Sequence, residues 1–166
     1  MRILVVGAGA TGGFFGAALA RAGRDVTFLV RPRRAAELRE RGLRSIGPER
    51  EDVITPRLVT AEQLKAEQLE HEPGTHGGDS DSLAGPYDLV LVSVKEAALA
   101  QAIEDFAPAV GPDTIIVPFL NGMAHLDRLA ARFGAHAVFG GVVLIAATVT
   151  DEGDVKQLGQ IGRAHV

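Results

Sequence analysis

The residues best suited to chemistry stand near the start of the chain. Gly7-Ala8-Gly9-Ala10-Thr11-Gly12 follows the apolar run Ile3-Leu4-Val5-Val6 and spaces three glycines as G-x-G-x-x-G. In a strand–turn–helix setting each glycine has its own task. Gly7 permits a tight turn out of the strand, Gly9 lets a pyrophosphate approach the backbone, and Gly12 lets the helix pack close to the sheet. Gly16, one turn later on the same helix face, extends that packing. The free N–H groups and positive dipole end of the helix favour an anion there. Dinucleotide binding is therefore the expected chemistry, because a strand, a helix and a second strand surround the motif within about 30 residues. Arg31 indicates which dinucleotide. It ends the second strand-like run, Asp25–Val30, where NAD-specific folds place an acid for the ribose 2′-hydroxyl. A guanidinium there pairs with a 2′-phosphate that a carboxylate would repel. NADP(H) is expected over NAD. Arg33 and Arg34 follow, and each reads equally well as a solvated helix start.

Two further polar residues fall where a doubly wound sheet holds its ligand, at the carboxyl ends of strands. Lys95 follows Leu89–Val94, and Asn121 follows Ile115–Leu120 and precedes Gly122. Lysine is scarce, the others being Lys65 and Lys156, so one at a strand end stands out. An asparagine before glycine is also an ordinary turn element.

Elements that position these residues can be read from periodicity. Residues 2–6 form a short buried strand, 10–22 a helix stopped by Gly23, 25–30 a second strand, and 33–41 a helix opened by Pro32 and closed by Gly42. That alternation predicts a Rossmann-type α/β fold, a doubly wound and mostly parallel sheet. Two β pieces are expected around Leu43–Ile46 and Val53–Val59, then a helical turn after residue 62. Strands follow at Tyr87–Val94 and Thr114–Phe119, with helices over 96–107 and 123–133. The β-type runs Ala137–Thr150 and Val155–Ile161 flank Asp151-Glu152-Gly153-Asp154, which predicts an antiparallel hairpin at the C-terminal edge.

Composition sets the bounds. The 166 residues suit one domain, 1–166. Cysteine is absent, which excludes thiolate chemistry and fits a reducing cytoplasm. A net charge of −4 argues against a general nucleic-acid binder, and no apolar run is long enough to suggest a membrane span. Residues 70–86 read as a flexible acidic insertion by composition. Its His71 and His76 read as solvated, no metal site is expected, and His125 reads as a surface helix position.

The motifs Gly7–Gly12, Leu29-Val30-Arg31, Ser93-Val94-Lys95 and Leu120-Asn121-Gly122-Met123 together resemble the ketopantoate reductases (2-dehydropantoate 2-reductases), in order and spacing along nearly the whole chain. The resemblance implies NADPH-dependent reduction of the 2-keto acid 2-dehydropantoate to pantoate, on the route to coenzyme A. It places Arg31 on the 2′-phosphate, Lys95 and Asn121 in supporting catalytic roles beside nicotinamide and substrate, and the Ala146 backbone on the cofactor. The family's second, helical domain supplies a proton-donor lysine, and no lysine of this chain matches it. This chain is then expected to be the cofactor-binding half, which binds NADP(H), turns over poorly alone, and self-associates through the surface a second domain would cover. The family also joins the strands around the acidic insertion with fewer residues. An isolated NADP(H)-binding or sensing module, or a reductase of another 2-keto acid, are the alternatives.

Overall fold

A computed structural model describes residues 1–48, 51–70, 83, 85–159 and 164–165. Along the chain come β1 (Arg2–Val6), α1 (Ala10–Arg21), β2 (Asp25–Leu29), α2 (Pro32–Arg41), β3 (Leu43–Ile46), β4 (Glu51–Ile54), β5 (Arg57–Val59) and α3 (Ala61–Glu70). They are followed by β6 (Leu89–Val92), α4 (Leu99–Phe106), β7 (Ile115–Pro118), α5 (Ala124–Phe133), β8 (Val142–Val143), β9 (Ala147–Val149), β10 (Val155–Gln157) and β11 (Ala164–His165).

The first sheet has five strands in the order β5-β2-β1-β6-β7, all paired parallel. Side chains alternate along β1, so its two faces feed two cores. Leu4 and Val6 join Val90, Val92, Leu99, Phe106, Ile116 and Leu129. Ile3 and Val5 join Val26, Phe28, Ala35, Leu38 and Val155 on the other side. A sheet covered on both faces needs strands apolar throughout, which is why β1 and β6 read as unbroken apolar runs. The chain leaves β1 toward β2 and β5, then returns to lay β6 on the opposite flank of β1. The switch between β1 and β6 opens a crevice at their carboxyl ends.

The C-terminal hairpin forms, with β9 antiparallel to β10. It belongs to a second, four-stranded sheet, β4-β3-β10-β9, in which β10 also pairs parallel with β3. The expected run Ala137–Thr150 is divided. Val138 makes an isolated bridge to Ile116, β8 pairs with β11, and β9 alone enters the hairpin. The expected piece Val53–Val59 divides too, because Pro56 lacks the N–H a ladder needs. β4 goes to the second sheet and β5 to the first. Residues 61–70 make a ten-residue helix rather than a turn. Its start is a capping box, in which the Thr60 N–H donates to Gln63 Oε1 and the Gln63 N–H donates to Thr60 Oγ1. Most of the acidic insertion, with His71 and His76, lies outside the described residues.

The helix α1 lies between the two sheets, and its glycines explain how. A Cβ on Gly16 would sit 2.4 Å from Phe28 Cε1 of the first sheet, and one on Gly13 would sit 2.7 Å from Val155 Cγ2 of the second. Only hydrogen at both positions lets one helix approach a sheet on each side.

Candidate functional site

A cleft of about 660 Å³ lies over the carboxyl ends of β1, β2 and β6. Its floor is Val6-Gly7-Ala8-Gly9, and its walls come from Leu29–Pro32, Arg34, Glu37, Thr60–Glu62 and Ser93-Val94-Lys95. Ala98, Gln101, Ala102 and Asp105 extend it along the helix after β6, and Val149 and Gly153 reach it from the hairpin.

The glycine loop is built as its spacing predicts. Gly7 has φ +97°, a left-handed conformation that glycine adopts without strain. Its N–H donates to the Leu29 carbonyl at 2.9 Å, extending the β1–β2 ladder into the turn. A Cβ there would come within 2.6 Å of the Ser93 carbonyl oxygen, so the loop lies directly against the chain leaving β6. A Cβ on Gly12 would fall 2.1 Å from the Gly7 carbonyl oxygen, so the first turn of α1 closes tightly on the loop. Gly9 differs from both, with no atom within 4 Å of its Cβ position. It caps α1 without a side-chain hydrogen bond, and no acid occupies the first turn. The first intrahelical bond runs from the Gly13 N–H to the Gly9 carbonyl. The amides of Ala10, Thr11 and Gly12 thus have no carbonyl four residues back within the helix. An open glycine face beside unspent amides at a positive helix end fits a pyrophosphate.

Arg31 caps α2 in extended conformation and is exposed at the cleft wall. Its carbonyl accepts from the Ala35 N–H at 2.9 Å, but its guanidinium has no hydrogen bond or ion pair among the described residues, which suits a cation kept for an anionic ligand. Arg34 is more constrained. Its Nη2 donates to the Gly153 carbonyl at 2.7 Å and more weakly to the Ala8 carbonyl at 3.5 Å, and its Nη1 donates to Glu37 Oε2 at 3.3 Å. Glu37 Oε1 also accepts from Arg33 Nε at 3.0 Å. The hydrogen bonds from Arg33 and then Arg34 hold the Glu37 carboxyl below its ordinary range. The hairpin turn is tied down further by Arg41 and Arg44, which lie 3.7 and 3.5 Å from the Asp154 carboxylate. Sequence reasoning left Arg34 undecided between phosphate and solvent, and it missed Gly153 altogether.

Lys95 lines the cleft at the end of β6, exposed and at the cap of a single 3-10 turn, Glu96–Ala98. Asn121 sits after β7, exposed beside Gly122 at φ +83°, and does not line this cleft. Ala146 is also outside the lining, and its carbonyl accepts from the Leu158 N–H at 2.7 Å. The structure thus brings the loop Gly7–Gly9, Arg31 and Lys95 together. Ala10, Thr11 and Gly12 stand behind the loop as the helix start. His125 is a correction: it is only 4% exposed, buried on the same face of α5 as Leu129, and its Nδ1 has no partner among the described residues. The spacing of four residues between His125 and Leu129 was the available signal. Among the described residues no cluster of three His, Cys, Asp or Glu is placed to hold a metal, and no helix is long and apolar enough to cross a membrane.

The family model described as ketopantoate reductase PanE/ApbA matches residues 3–166. An uncharacterized oxidoreductase of Bacillus subtilis, YkpB, is 35% identical over 156 residues, covering 93% of this chain and 45% of that protein. A 2-dehydropantoate 2-reductase of Mesorhizobium japonicum is 32% identical over 124 residues, covering 74% of this chain and 32% of its own length. The crystal structure of 2-dehydropantoate 2-reductase from Geobacter metallireducens superposes with a TM-score of 0.77 at 31% identity, over 97% of this chain and 47% of that one. The chain spans less than half the length of each.

Proposed function

Because this chain belongs to the ketopantoate reductase family, whose members are NADPH-dependent oxidoreductases, we propose that it is the cofactor-binding part of an NADP(H)-dependent 2-keto acid reductase. The substrate favoured by the named relatives is 2-dehydropantoate, which is reduced to pantoate for pantothenate and coenzyme A synthesis. The observation that carries the reading is the pairing, in one cleft, of the open Gly9 face with the Arg31 guanidinium, which has no partner among the described residues.

Each residue's part follows from its place. The amides at the start of α1 hold the pyrophosphate oxygens, and Arg31 pairs with the ribose 2′-phosphate. When bound, the reduced cofactor supplies the hydride for the keto carbon. Lys95 brings positive charge to the ribose and nicotinamide side, where an alkoxide developing from the keto oxygen is stabilised by a nearby cation. Asn121 orients the nicotinamide and substrate from the β7–α5 loop. The Ala146 backbone is given a contact with the cofactor by the family resemblance alone, since it lies outside the cleft lining. Protonation of the alkoxide needs a positioned acid. Among the described residues lining the cleft, Lys95 is the sole ammonium, and its exposure leaves it unfixed. This chain by itself therefore binds NADP(H) and reduces ketopantoate slowly or not at all. The exposed apolar side chains of Met123, Phe139, Val142, Leu144 and Leu158 favour self-association, and a clean monomer by light scattering at high concentration would count against it.

The test has two arms on the 166-residue chain. Titration with NADPH and NADH should show tighter NADPH binding, and equal affinity would remove the role given to Arg31. Steady-state NADPH oxidation with ketopantoate should be slow, and a near-normal rate would overturn the claim that binding here precedes chemistry this chain cannot complete.

A further inference from the structure

The cleft carries more charge than Arg31 alone accounts for. Arg31, Arg34 and Lys95 line it, and so do Glu37, Glu62 and Asp105, so the formal charges cancel. A ribose 2′-phosphate brings close to two negative charges at neutral pH. A site that favours it strongly should be positive around it, yet an anion stands one turn along α2 from Arg34. Glu37 takes up both remaining arginines of this helix start, accepting from Arg33 Nε at 3.0 Å and from Arg34 Nη1 at 3.3 Å.

Arg34 is held through both terminal nitrogens, and the two differ in kind. Its Nη2 is anchored on the Gly153 carbonyl at 2.7 Å, which fixes the guanidinium at the cleft wall. Its Nη1 is committed to Glu37. Removing the Glu37 charge would free Nη1 while Nη2 stayed anchored, leaving a donor already placed beside the cleft. A preplaced guanidinium loses little freedom when it bonds a phosphate.

We propose that Glu37 is a specificity-determining residue: its carboxylate withholds Arg34 from the 2′-phosphate and sets negative charge near it, so that the site prefers NADPH only moderately over NADH. This rests on the NADP(H) reading given above. Arg31 supplies the preference and Glu37 limits it.

Fluorescence titration of reduced nicotinamide measures Kd for NADPH and NADH with the wild-type chain, Glu37→Gln, and the double variant Arg34→Gln/Glu37→Gln. In Glu37→Gln the ratio Kd(NADH)/Kd(NADPH) should rise about threefold to tenfold, the range of an ion pair or charged hydrogen bond released at a partly exposed site. NADH affinity should stay within about twofold of wild type, which also reports that the variant is folded, since neutralising a half-exposed carboxylate touches nothing in the core. In the double variant the gain should vanish. An unchanged or lowered ratio in Glu37→Gln overturns the inference, and a gain that survives in the double variant overturns the route through Arg34. A wild-type chain that binds neither dinucleotide overturns the proposed function and this inference together. A wild-type chain that binds NADPH while Glu37→Gln behaves identically overturns this inference alone.

Discussion

Replacing Gly9 by alanine adds a methyl group where no atom lies within 4 Å. The backbone there has φ −85° and ψ −162°, a conformation open to any L-residue. Alanine restricts the unfolded chain more than glycine does, which stabilises by about 0.4–1 kcal/mol. At a helix cap alanine is poorer than glycine by roughly the same amount. The two effects nearly cancel, and the unfolding free energy should stay within about 0.5 kcal/mol of wild type. Binding should respond differently, because the methyl occupies the side from which a pyrophosphate reaches the amides of Ala10, Thr11 and Gly12. Hydrogen bonds to charged groups are worth about 1.5–3 kcal/mol each. Displacing the phosphate from one of them weakens NADPH binding about tenfold to a hundredfold. Thermal or urea unfolding measures the first quantity, and NADPH fluorescence titration the second. Unchanged affinity in a folded Gly9→Ala variant would show that the pyrophosphate is not seated on this face. A large loss of stability would show that the face is not open.

Gly16→Ala should behave in the opposite way. Its Cβ would meet the buried Phe28 ring at 2.4 and 2.5 Å, an overpacking that costs about 1–3 kcal/mol and outweighs the gain of about 1 kcal/mol in helix propensity; urea unfolding should show a lower midpoint, and an unchanged one would mean that α1 approaches the first sheet less closely. Arg31→Ala should weaken NADPH binding about tenfold or more while NADH binding changes less than about twofold, and equal losses for both would assign Arg31 to the fold rather than to the 2′-phosphate. Acid should weaken the fold through the carboxyls whose pKa values the arginines depress, Glu37 by Arg33 and Arg34 and Glu51 by Arg44. A carboxyl with a depressed folded pKa contributes stability above its unfolded value, here the ordinary 4.5, and loses it as pH falls through the lower folded value. The thermal midpoint should thus be level at neutral pH and fall on acidification below about 4.5, whereas a midpoint that rises on acidification would contradict these pairings.

Features coded by neighbouring residues were legible in the sequence. The glycine loop, the strand before it and Arg31 lie within one βαβ unit, so spacing alone placed them in one crevice. The position of Lys95 on the cleft could be read because the apolar run Leu89–Val94 reveals the buried strand β6 and roughly where it ends. The second sheet was legible only in pieces: the β3 run Leu43–Ile46 and the C-terminal hairpin were expected, but not that they join. Its strands run only three to four residues, and β10 finds β3 across more than a hundred positions, a pairing that local periodicity does not encode. The role of Arg34 was hidden for the same reason: its anchor, the Gly153 carbonyl, is 119 residues away. Even α1 was half read. Gly12 and Gly16 spoke for the first sheet, but the task of Gly13 depends on Val155, a contact more than a hundred residues away in sequence.

That second sheet bears directly on the cofactor site. α1 has the first sheet on one side and Val155 of β10 on the other, so the amides facing the pyrophosphate are held by a helix that cannot shift toward either sheet without a clash. The turn between β9 and β10 is fixed to α2 by Arg34 on the Gly153 carbonyl and Arg41 on Asp154, and to β3 by Arg44 on Asp154. Arg34 sits on the same helix that presents Arg31 at its cap. The glycine loop and Arg31 are therefore braced against one hairpin, by packing in the first case and by hydrogen bonds in the second. A donor set held in place before the ligand arrives loses less ordering entropy on binding. On the proposed function, residues 150–155 contribute to cofactor affinity although only Gly153 among them lines the cleft, and the preference proposed for Arg31 and Glu37 depends on a turn that enters the chain more than a hundred residues later.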